Sequence, residues 1–93
     1  MTKVTLEIKD NGDIMYDCFN HAGDHDVCTI ISTLSNVLCE ASFRAGRDPT
    51  CYNKGHVRVD IPGADEPTIE VFRTVQHVME QVALQHPDHV NLY

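Results

Sequence analysis

Ninety-three residues suffice for one domain with one modest core, and are too few for two. Seven basic side chains against fourteen acidic ones leave a formal net charge of −7, which excludes a phosphate backbone as direct partner because nucleic-acid binding needs a basic face. An apolar content of 42% excludes disorder, and no apolar run approaches the ~20 residues of a membrane span.

The first residues lack the basic-then-apolar order of a secretory signal, so a cytoplasmic protein with no membrane partner is expected. Thr2 to Lys9 alternates, with Val4, Leu6 and Ile8 on one face and Thr5, Glu7 and Lys9 on the other, which reads as a half-buried strand. Asp10-Asn11-Gly12-Asp13 tolerates positive φ and turns the chain back into a second strand, Ile14 to Phe19. Residues 20 to 26 show no periodicity and form a loop. Asp26 suits a helix N-cap, its carboxylate accepting from orphan backbone amides. Apolar residues at 27, 30, 31, 34, 37, 38 and 41 then predict a helix to about Arg44, ending near Gly46. Asp48-Pro49 breaks the chain.

Gly55 to Ile61 alternates again and stops at Pro62-Gly63. Pro67 fits the first turn of a second helix, whose stripe runs Ile69, Phe72, Val75, Met79, Val82 and Ala83 to an end near His86-Pro87. Val90 and Leu92 predict a short last strand. The order is ββαβαβ, a single α/β domain over residues 1–93 with one sheet packed by two helices as a two-layer sandwich.

The four cysteines, Cys18, Cys28, Cys39 and Cys51, stand ten, eleven and twelve residues apart. No C-x-x-C pair points to zinc, and a cytoplasmic chain argues against a disulfide framework. Cys18 on a strand and Cys39 on a helix read as structural; Cys51 falls in a loop. Cys28 differs. It lies one or two residues inside the first helix, where the partial positive charge and unpaired amides favour a thiolate and can receive an oxyanion. His21 and His25 in the preceding loop offer a base, and Asp24 or Asp26 an orienting carboxylate. These are the parts of a thiol hydrolase. A small buried hydrophobe is the plainer reading of Cys28, and solvated side chains that of the two histidines. A metal site built from His21, Asp24, His25, Asp26 and Cys28 is a further alternative, although Gly23 keeps the two histidines off one helical face.

The pieces Asn20-His21-Ala22, Asp26-Val27-Cys28 and Ser32 resemble the motif of the ribosomal-processing cysteine proteases (Prp): Gly-His-Ala, a glycine-rich loop, Asp-x-Val-Cys, and a Ser four residues after the Cys. The resemblance runs along the whole chain, through the Asn11-Gly12 turn, the Gly55-His56-Val57-Arg58-Val59 strand and the ending Gln85-His86-Pro87-Asp88-His89-Val90. It implies a cysteine endopeptidase, usually a homodimer, that needs no cofactor or metal. Its protein substrate would be a bacterial large-subunit ribosomal protein precursor, relieved of a short N-terminal extension, or a phage capsid or scaffold protein. By motif position Cys28 is the nucleophile and His21 its base, with Asp26 and Ser32 in support. Two departures stand out: Asn20 replaces the family's Gly, and six residues between His21 and Cys28 make a shorter loop than the family's. Two other expectations compete with the protease, a catalytically inactive protein-binding relative and a metal-binding module on the 21–28 loop.

Overall fold

Strand β1 (Thr2–Ile8) and strand β2 (Ile14–Phe19) pair antiparallel, Leu6 opposite Tyr16 and Ile8 opposite Ile14, in a computed structural model describing residues 1–93. The turn between them holds Gly12 at φ +90, where a Cβ would meet the Ala64 carbonyl oxygen at 3.0 Å, so no other residue fits without displacing backbone. Helix α1 (His25–Arg44) follows, then strand β3 (Cys51–Asn53), strand β4 (His56–Ile61), helix α2 (Glu66–Gln85) and strand β5 (Val90–Leu92). The sheet order is β3-β4-β2-β1-β5, with β5 parallel to β1 and the other pairs antiparallel.

The α/β two-layer architecture is as expected, with one strand more, so the order is ββαββαβ. Cys51 lies in that extra strand and not in a loop. Three residues are too few to show alternation, and the tight turn at Lys54-Gly55 makes them half of a hairpin in which Asn53 faces His56. Gly55, with φ +92, therefore belongs to the turn, and the strand starts at His56.

The N-cap of α1 is Asp24, not Asp26. Asp24 is extended, and its Oδ1 accepts from the Val27 amide at 3.1 Å. Gly23, with φ +83, turns the chain so that the earlier of two available acids caps, leaving Asp26 in the first turn, where its charge faces the positive end of the helix dipole. The helix ends by satisfying its last carbonyls: Gly46, at φ +80, donates to Phe43 O, and Arg47 donates to Ser42 O. Helix α2 is capped by Asp65, whose side chain accepts from Thr68 N, with Pro67 in its first turn as the sequence predicts.

Alternation decides the sheet's two faces. Val4, Leu6, Ile14, Tyr16, Val59 and Ile61 point into the core with Val27, Ile31 and Leu38 of α1 and Phe72, Val75 and Met79 of α2. Phe72 is fully buried, so Phe72→Ala would cost about 3–5 kcal/mol, a large part of the stability of so small a domain. The Tyr16 hydroxyl and Ser35 Oγ, 2.7 Å apart and buried, satisfy each other and tie β2 to α1. The opposite face carries Asp17, His56, Arg58 and Asp60, half-buried, with no helix over it.

Candidate active site

Strand β2 ends at Phe19, and the next residue changes the direction of the chain. Asn20 sits at φ +71, its amide donating to Gly55 O at 2.8 Å and its carbonyl accepting from Thr2 Oγ1 at 3.1 Å. Asparagine is among the few residues besides glycine that enter this left-handed region readily. The Asn at this position therefore does the conformational work of a Gly, and the chain enters His21 fixed to both neighbouring strands. The His21 ring then lies against Gly55, its Nε2 3.4 Å from where a Cβ would be.

The loop's second anchor comes from the far end of the chain. His89, just before β5, donates from Nδ1 to the Ala22 carbonyl at 2.9 Å. The amide of the same Ala22 donates to Cys28 Sγ at 3.3 Å. The Ala22 donor is aimed at the sulfur, with the N-terminal turn of α1 behind it. Cys28 is the fourth residue of α1, and its own amide is already bonded to Asp24 O at 2.9 Å. The Val27 amide is taken by the Asp24 carboxylate. Neither of these two amides is free for an oxyanion.

A cavity of about 510 Å³ opens over this sulfur. His21, Cys28 and Ser32 all line it, Ser32 one turn after Cys28 on the same helical face. Its far wall is the β3–β4 hairpin through Tyr52, Asn53, Lys54 and Gly55, braced by Tyr52 Oη donating to Asn36 Oδ1 at 2.9 Å. His21 and Cys28 share the cavity without a hydrogen bond between them; catalytic pairs often tighten only in the complex. His25 and Asp26 do not line the cavity; both are exposed in the first turn of α1. No group of three or more His, Cys, Asp or Glu side chains converges as a metal site, so the ligand set of the metal alternative is dispersed.

Burial pushes the Cys18 and Cys39 thiols up, keeping both protonated, although Cys18 also borders the cavity. The Val27 amide bound to Asp24 holds that carboxyl below the usual range, so the cap stays charged. The sequence offers Asp24 as an orienting carboxylate, and the structure makes it the helix cap; His89 and the β3–β4 wall are not assigned to the site from the sequence. Asp24 carried a visible signal as an acid before a helix; His89 carried none.

No protein-family model and no curated protein sequence matches the chain. Solved structures do. The ribosomal processing protease Prp from S. aureus, in complex with a covalently linked product peptide, superposes with a TM-score of 0.80 at 17% identity, over 99% of this chain and 97% of that one. The same protease with a substrate peptide gives 0.63 at 17% identity, over 100% and 98%. A protein of Streptococcus mutans gives 0.77 at 21% identity, over 99% and 91%. The chain has the Prp fold.

Proposed function

We propose that this protein is a cysteine endopeptidase of the Prp type, with Cys28 as nucleophile and His21 as base. The observation that carries the proposal is the Ala22 amide donating to the Cys28 sulfur beside a cavity that His21 also lines. The Prp fold supports it, since the S. aureus protease was solved with substrate and product peptides. In the proposed reaction the Cys28 thiol loses its proton to His21, and sulfur attacks a peptide carbonyl. The C–N bond breaks as His21 protonates the leaving amine, and water hydrolyses the thioester to restore the thiol. Ser32 offers a hydroxyl to the bound peptide, and Asp26 steadies the first turn of α1 through the helix dipole. The proposed substrate is a large-subunit ribosomal protein precursor with a short N-terminal extension, a phage capsid or scaffold protein being the alternative, and a homodimer the proposed assembly.

Cleavage of such a precursor, followed by mass spectrometry, tests the assignment. Cys28→Ser should abolish it, His21→Ala should slow it by about 10²–10⁴-fold, and His25→Ala should leave most of it. Equal losses in the two histidine variants would refute the role of His21. The absent His21–Cys28 hydrogen bond favours one other reading, a relative that binds the same peptide without cutting it; intact precursor after retention on the immobilised protein would establish that.

A further inference from the structure

A second thiol lies on the sheet face that no helix covers. Cys51 on β3 pairs with Arg58, which pairs in turn with Asp17, while His56 pairs with Asn53 and Phe19. Directly paired residues point to the same side, so Cys51, His56 and Asp17 share the open face, with His56 diagonal to both others. The diagonals are closed by contacts. Cys51 Sγ is 3.5 Å from His56 Nδ1, and His56 Nε2 is 2.6 Å from Asp17 Oδ1. The Phe19 ring meets the imidazole edge-on at a centroid distance of 5.2 Å, and Asn53 Nδ2 donates to Cys51 Sγ at 3.3 Å.

We infer that Cys51, His56 and Asp17 form a reactive-thiol site that takes small peroxides. Nucleophile, base and orienting carboxylate stand in line within contact distance, the arrangement that activates a thiol. With Nε2–H donated to Asp17, Nδ1 is the free nitrogen and faces the sulfur. Among the four cysteines only Cys28 and Cys51 are not buried. Cys51 lines neither the cavity that holds Cys28 nor the one over Arg58 and Asp60 on its own face, and its sulfur is half-buried on the sheet. The reactant is accordingly small.

In the reaction Nδ1 takes the thiol proton and sulfur attacks one peroxide oxygen. The S–O bond forms as the O–O bond breaks, and the imidazolium returns its proton to the leaving oxygen. Sulfur is oxidised by two electrons to a sulfenic acid, and the hydroperoxide is reduced to an alcohol or water.

The test uses the full chain as Cys28→Ser, treated with dilute hydrogen peroxide, trapped with dimedone and mapped by peptide mass spectrometry. Cys51 should be labelled about tenfold faster in the folded protein than in the urea-unfolded one. Asp17→Asn and His56→Ala, each verified folded by circular dichroism, should bring the rate near the unfolded value. Added imidazole should restore part of the rate in His56→Ala and none in Asp17→Asn. Folded Cys51 reacting no faster than unfolded Cys51 would overturn the assignment without recourse to any variant. So would unchanged rates in both folded variants. Peptide cleavage by Cys28 enters none of these readouts.

Discussion

Ala22 is held on both sides of its residue, its carbonyl by His89 and its amide against the Cys28 sulfur. His89 therefore positions the loop between His21 and Cys28 without touching the reacting atoms. His89→Phe should keep the ring's bulk, lose the hydrogen bond, and lower kcat several-fold with little change in KM; equal changes in both would mean a general disturbance of the fold. His21, Cys28 and Ser32, which line one cavity, were legible together because a short local motif contains all three. His89 was not, because its partner lies 67 residues away and its own neighbours in sequence give no reason for it. Asn20 was legible only as a departure from a glycine. Its φ of +71 supplies the reason that it serves there.

Helix α1 presents Cys28 only if it starts at the right residue, and Asp24 decides that start. Asp24→Ala should lower the melting temperature and the cleavage rate together, whereas Asp26→Ala should lower the melting temperature less, because Asp26 caps nothing and loses only its interaction with the helix dipole. A pH series sharpens the comparison. The caps Asp24 and Asp65 and the Arg58-bound Asp60 are all held below the ordinary carboxylate value. Their stabilisation is fully present above the unfolded value of about 3.9 and is lost as pH falls through the lower folded values. Melting temperature should therefore fall steeply below about pH 4, and less steeply in Asp24→Ala. Both helices and the longer strands were legible because each spans enough residues for its period to show. Strand β3 was not: at three residues it exists through pairing with β4, and pairing is a tertiary fact.

At the scale of the whole molecule, charge and size set how partners are met. No helix is long and apolar enough to cross a membrane. The formal charge of −7 draws basic chain segments, yet Lys54 is the one Asp, Glu, Lys or Arg side chain lining the cavity. Attraction for a basic precursor thus arises outside the cavity, between exposed charges screened over ~8 Å at physiological salt, and acts mainly on association. Cleavage of a basic ribosomal precursor should slow with added salt through kcat/KM, while a neutral capsid-derived peptide should respond much less. Equal sensitivity would assign the acidic surface to solvation alone.

The proposed cleavage passes through a covalent bond between a peptide carbonyl carbon and the sulfur of Cys28. Acid-quenching a reaction between protein and precursor within the first turnover, then mapping by mass spectrometry, tests it most directly. The expected result is a thioester adduct of the acyl fragment on Cys28, absent in Cys28→Ser and accumulating before free product. Turnover with no adduct at any time, or an adduct on another residue such as Cys51, would contradict it.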